Sequence, residues 1–159
     1  KNCLKGFNDL SIFNFQILNN ILPCGKSLHR WKTNISKNCD MCKEVESIKH
    51  MLYECSHVSQ IWLKISNILD FNVKWKTIVC GYIEYTVTDK IFAHNFILSI
   101  IAFAIFKENS NCKFYKKVLR TENIIASIKK YLSSYFMIVR NLDMKILLFY
   151  INNVFSLLK

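Results

Sequence analysis

Glycine and proline are almost absent, at three and one residues in a chain of 159. That scarcity disfavours a turn-rich β fold and favours helices. Acidic residues are also few, 11 against 22 Lys and Arg, for a net charge of +11. No Asp-Asp pair, dense acidic cluster, serine–histidine–acid arrangement or glycine-rich phosphate loop occurs. The sequence therefore offers no two-metal polymerase or nuclease centre, no hydrolytic triad and no nucleotide-cradling loop. No secretory signal opens the chain, which begins with Lys and reads as an excerpt of a longer product. No apolar run reaches the ~18 residues a membrane span needs. The most apolar stretch, FILSIIAFAIF (96–106), is bounded by Asn95 and Lys107, and ILLFYINNVFSLL (146–158) is interrupted by Asn152 and Asn153. Both are expected to be buried helices, with no membrane partner.

Hydrophobic residues make up 52% of the chain, enough for a core and against disorder. The expected fold is mainly α, with little or no β: a helical module around a small zinc knuckle, then a helical tail. We place the module at 1–74 and the tail at 75–159. The first helix is read over 8–23, capped by Asp9, with Leu10, Phe13, Ile17 and Ile21 at helical spacing and Pro23 at its end. A short basic helix follows, in which Leu28 and Trp31 share a face. SHVSQIWLKISNIL (56–69) carries one apolar stripe, with Ser56 as its cap. Residues 75–87, β-branched and aromatic around Gly81, read as a strand pair or a connector. The longest helix is expected over 88–111, capped by Thr88, then a basic connector over 111–120. Further helices are read over 121–140 and from about Asp143 to Leu158.

Seven cysteines is an odd number, unlike an extracellular disulfide framework, and suits the reducing cytosol or nucleus. Cys3, Cys24, Cys80 and Cys112 are scattered and expected to be ordinary buried thiols. The other three fall in CDMCKEVESIKHMLYEC (39–55), where Cys39, Cys42, His50 and Cys55 are spaced C-x2-C-x7-H-x4-C (CCHC). Zinc takes four thiolate or imidazole ligands in a tetrahedron, and a full protein shell marks a structural site without an open position for water. Four ligands within 17 residues can close such a shell locally. A redox pair at Cys39 and Cys42 is the alternative, but no parallel-strand pattern precedes it. His57 also follows Cys55 and competes with His50 as fourth ligand; His50 is preferred because His57 opens the next amphipathic helix. For His29 and His94 a surface or satisfied core position is expected.

Basic residues cluster twice. Lys26, Arg30, Lys32, Lys37, Lys43 and Lys49 precede and thread the cysteine stretch. Lys113, Lys116, Lys117, Arg120, Lys129 and Lys130 lie in the tail, offset only by Glu122. A basic excess of this kind suits a polyanion, most often nucleic acid. Lys26 through Lys49, with Lys113, Lys116, Lys117 and Arg120, are the candidate phosphate contacts. Trp31 and Phe114 lie among them and would stack on bases if exposed, although such residues more often complete a core.

Together these features resemble the zinc-binding region C-terminal to the reverse transcriptase of LINE-type (non-LTR) retrotransposon polyproteins. The resemblance runs over about residues 8–68. It is carried by Leu22-Pro23, the basic segment from Leu28 to Trp31, Cys39 and Cys42, the acidic turn Glu44 to Glu46, His50 to Cys55, and Trp62. A weaker likeness to the helical tail of such polyproteins continues through 95–114. The resemblance implies one structural Zn2+ on Cys39, Cys42, His50 and Cys55. It also implies a noncatalytic segment that holds RNA or target DNA during target-primed reverse transcription beside the polymerase core. A zinc-stapled protein-interaction module docking on that core or on a host factor is the alternative.

Overall fold

The computed structural model describes the backbone of residues 2–32, 34–82, 89–139 and 145–157, and the side chains of 8–32, 34–82, 90–135 and 148–156. Among these residues the architecture is helical, its only β feature a single antiparallel bridge between Asn38 and Val45. The helices are α1 (Asn2–Leu18), α2 (Gly25–Trp31), α3 (Ser56–Leu69), α4 (Trp75–Cys80), α5 (Asp89–Tyr115), α6 (Thr121–Val139) and α7 (Lys145–Leu157), with one π-helical turn at His50–Glu54.

α1 starts earlier than the sequence suggests. Gly6 is the one poor helix former in its first turns, at a cost of about 1 kcal/mol, and it does not stop propagation, so Asp9 lies inside the helix and is not its cap. The helix ends before Pro23. Asn20 takes a left-handed φ of 55°, the amide of Ile21 donates to Gln16 and that of Asn20 to Ile17, at 3.0 Å each. This is the Schellman arrangement, with Asn in the position glycine usually fills.

α3 spans the expected residues and buries Val58, Ile61, Trp62, Ile65 and Leu69, but its N-cap is Cys55 and not Ser56. Trp75–Cys80 is a helix, not a strand: its contacts with α1 and α5 override the β propensity of Thr77, Ile78 and Val79. The rest of that segment, 83–88 with Thr88, lies outside the described residues, as do Asp143 and Leu158. α5 continues to Tyr115, so half of the expected basic connector is helical.

α5 is the axis of the fold. Ile100 through Ile105 are buried without a break, and α1, the π turn, α4, α6 and α7 all pack on it. By length and composition Lys90–Tyr115 would also cross a membrane, but most of that stretch is buried inside the protein. Phe13 of α1 stacks on Phe106 and meets Phe103 edge-on, at 5.4 and 5.3 Å. Ile124, Ile128, Leu132 and Tyr135 of α6 close another side. Residues of the knuckle and of the tail thus share one continuous core.

His94 is buried among Phe71, Tyr82 and Tyr150, and His29 bonds the Ile35 carbonyl at 2.7 Å. Cys24 and Cys112 are buried as expected, whereas Cys80 is exposed because α4 is short and buries no residue; the Cys3 side chain lies outside the described set. Leu28 is buried but Trp31 is not, because α2 ends at Trp31 and the indole points away from the core.

Candidate metal centre and the basic cleft beside it

The Cys39–Cys42 turn is set by its own backbone. The Cys39 amide donates to the Glu44 carbonyl at 2.7 Å, and the Lys43 amide returns to the Cys39 carbonyl at 3.0 Å. Lys43 reverses the chain with a φ of 68°. The Asn38–Val45 bridge closes this small hairpin. The amides of Met41 and Cys42 favour the thiolate of Cys39.

His50 and Cys55 reach the same point by a different device. Five residues apart on an α-helix they would lie about 140° from each other. The π turn widens the helix so that residue 55 returns over residue 50, with the Cys55 amide donating to the His50 carbonyl at 3.0 Å. Ser47 starts this turn by accepting the His50 amide at 3.0 Å. The buried indole of Trp62 holds it, donating to the Leu52 carbonyl at 2.7 Å.

The four donor atoms of Cys39, Cys42, His50 and Cys55 lie within 4.8 Å of one another. Cys39 and Cys55 sulfurs are 3.8 Å apart, and Cys42 Sγ is 3.1 Å from His50 Nε2. A tetrahedron with zinc–sulfur bonds of ~2.3 Å has a sulfur–sulfur edge of about 3.8 Å. Three soft thiolates with one imidazole, two of the sulfurs already at that edge, fit one structural zinc ion. His57 is not in this group: its Nδ1 faces the Thr121 hydroxyl at 3.4 Å. Cys39, hydrogen-bonded to Cys55 and buried, is pushed up to about 12. That same bond lowers Cys55, helped by the His57 and Val58 amides at the start of α3. A redox C-x2-C pair sits between a strand and a helix; here Cys39 and Cys42 lie in a hairpin turn and the Cys39 sulfur faces that of Cys55.

Sequence reasoning missed the hub beneath the knuckle. The Glu46 carboxylate is fully buried. It accepts the Gly25 amide of α2 at 2.7 Å and the Asn109 side-chain amide of α5 at 3.0 Å, and faces the Lys113 ammonium at 3.5 Å. Lys113 also donates to the Asn38 carbonyl at 3.1 Å and lies 3.8 Å from Asp40. Gly25 fits closely here: a Cβ would lie 3.0 Å from the Lys37 carbonyl oxygen and 3.1 Å from the Glu46 carboxylate, so a larger residue would press on both. A faint signal existed: Glu46 is an acid in a basic segment, and Asn109 and Lys113 are one helical turn apart.

The candidate phosphate contacts divide. The Lys113 side chain is only 3% exposed and committed to the hub. Lys49 pairs with Glu54 at 2.6 Å. Lys37, Lys43 and Arg120 are exposed. Lys26 and Arg30 line a groove of about 380 Å³ with Ile21 and Trp31. Lys32, Lys116 and Lys117 converge on a cleft of about 430 Å³ with Asn34, Asp40 and Phe114. Among the described residues these three lysines enter no ion pair. Trp31 and Phe114 do not complete the core; they are 70% and 54% exposed. Trp31 ends a short helix, and Phe114 lies in the last turn of α5.

Residues 5–62 match the sequence profile of a family described as zinc-binding in reverse transcriptase, a description of metal binding and not of polymerase chemistry. The matched span takes in α2, the hairpin, the π turn and Trp62. No curated protein and no solved structure gives a match.

Proposed function

We propose that this chain is a noncatalytic, zinc-stabilised segment of a LINE-type reverse transcriptase polyprotein, working in a reducing compartment to hold RNA or target DNA near the polymerase. The metal set and the family match support the first half of that reading. One observation carries the second. Basic clusters some 80 residues apart in sequence meet at one cleft, Lys32 from the end of α2 facing Lys116 and Lys117 from the end of α5. Lys113 is held by Glu46 and lies near Asp40, while Lys32, Lys116 and Lys117 are exposed to solvent. Zinc supplies the fixed point that holds the four ligands together. The chain's own contribution is to carry that rigidity outward, from Asn38 next to Cys39, through Lys113, to the wall of the cleft.

The test is nucleic-acid affinity measured over a salt series, with and without a zinc chelator. Each phosphate neutralised lowers the slope of log K against log salt by about 0.7 to 0.9. Lys116→Ala with Lys117→Ala is expected to flatten the slope by about 1.4 to 1.8 and to weaken all sequences alike, as phosphate contacts do. Chelation is expected to weaken binding too. Salt-independent affinity, or none, overturns the reading.

A second reading rests on α1, where Ile12, Phe15 and Leu18 form an exposed stripe at helical spacing that continues to Ile21. Exposed contiguous apolar surface marks partner sites. Retained binding to a polymerase core, with no nucleic-acid binding, favours it.

A further inference from the structure

We infer that the cleft between α2 and the end of α5 is a stacking site for single-stranded nucleic acid, with Phe114 as the base platform and Lys32, Lys116 and Lys117 as its phosphate contacts. This rests on the nucleic-acid reading and specifies its ligand.

Three observations carry it. The first is concavity. At about 430 Å³ the cleft falls within the range of small-ligand sites, about 300–1,000 Å³. That volume has room for an unstacked nucleotide. The second is the aromatic. Phe114 lines the cleft and is 54% exposed. Bases inside a duplex are already stacked on their neighbours, so an aromatic face within a recess is reachable only by a base with a free face. Tyr115, next in sequence, is 71% exposed outside the cleft lining, and the Lys117 ammonium lies 6.0 Å from its ring.

The third is the backbone that aims the lysines. Lys116 has a left-handed φ of 53°, and the Lys117 amide donates to the Cys112 carbonyl at 3.1 Å, ending α5 in the same reversal that ends α1. Glycine is the usual residue there. A lysine is held instead, and the turn keeps Lys116 and Lys117 on the wall of the cleft that Phe114 also lines. Asp40 also lines the cleft, one acid against the three lysines Lys32, Lys116 and Lys117. Base stacking reads no sequence, because every base has a π face. The site is therefore expected to tolerate any sequence and to take RNA or DNA strands.

Fluorescence anisotropy of the zinc-loaded chain with labelled oligo(dT), oligo(rU) and a mixed-sequence duplex of equal length tests this. The strands are expected to bind more tightly than the duplex. Phe114→Ala is expected to weaken strand binding about 5- to 150-fold, with little change for the duplex and with zinc content and helicity unchanged. Phe114→Trp is expected to restore it, a rescue that a merely structural role would not give. Equal affinity for strand and duplex, or strand binding indifferent to Phe114→Ala, overturns the stacking site and leaves the broader nucleic-acid reading standing. Failure of the wild-type chain to bind any of the three probes overturns both.

Discussion

The ammonium of Lys113 on α5 faces the carboxylate of Glu46 on the knuckle at 3.5 Å, with the two side chains 3% and 0% exposed. The pair joins the metal-binding loop to the central helix where both charges are out of water. Breaking such a pair leaves one buried charge uncompensated, at a cost of about 3–5 kcal/mol. Glu46→Ala is expected to lower stability by that amount in denaturant melts of the zinc-loaded chain, more than Glu46→Gln, which keeps an acceptor for Gly25. A loss below about 1 kcal/mol, the size of a surface ion pair, would show that the hub is not buried in solution.

The metal assignment predicts a stoichiometry. The wild-type chain is expected to bind one zinc. Cys39→Ser and His50→Ala are expected to lose it and to unfold the hairpin and π turn while leaving the tail helices partly formed. The site's apparent free energy is on the order of 10 kcal/mol. His57→Ala is expected to keep the metal. Metal analysis with far-UV circular dichroism reads all three variants, and unchanged zinc in His50→Ala would refute the ligand set.

Zinc affinity is expected to rise with pH. In the metal-free chain the Cys39 thiol, pushed up to about 12, is protonated at neutral pH and must release that proton to bind. Cys55 is shifted the other way and gives up its proton more easily. Acidification therefore opposes binding, by about tenfold per pH unit for each proton released. Competition against a chromophoric chelator between pH 6 and 8 measures the slope; a flat profile would mean that the thiolates form without the metal.

Trp62 donates its indole N–H to the buried Leu52 carbonyl. Trp62→Phe is expected to leave that acceptor unpaired and to cost about 1–3 kcal/mol, with weaker zinc retention because the π turn loses its brace. Parallel melts and zinc titrations would separate the two effects. Unaltered zinc affinity would show that the turn holds itself.

Gly25→Ala would drive a methyl group against the Lys37 carbonyl and the Glu46 carboxylate. The expected penalty is about 1–3 kcal/mol, visible in a thermal melt. A neutral result would mean that α2 shifts freely, against the tight seating described above.

The helices were legible where one periodicity dominates. The stripe of Val58, Ile61, Trp62 and Ile65 set α3, and the unbroken apolar run made α5 a core helix. The metal set was legible because all four ligands fall within one short stretch. Residues 75–80 misled because β propensity mostly reflects packing, and packing against α1 and α5 is invisible locally. Asp9 misled because a capping residue is also tolerated inside a helix. The Glu46–Asn109–Lys113 hub was hidden for a geometric reason: Glu46 is 63 or more residues from its two partners on α5, and no local pattern announces a contact of that span. The exposed Phe114 and Trp31 were masked by composition, since most aromatics in a helical protein are buried.

The two kinds of closure in this chain differ in when they can form. The ligand loop joins residues 16 apart, whereas the bonds of Asn109 to Glu46, Lys113 to Asn38 and Ser99 to Asn14 join residues 63, 75 and 85 apart. Closing a long loop costs more chain entropy than closing a short one, and chains dominated by distant contacts fold more slowly. With zinc present the knuckle is thus expected to be an early nucleus on which α5 docks late. Stopped-flow refolding would then show a fast zinc-dependent phase followed by a slower one, and Asn109→Ala would retard only the second.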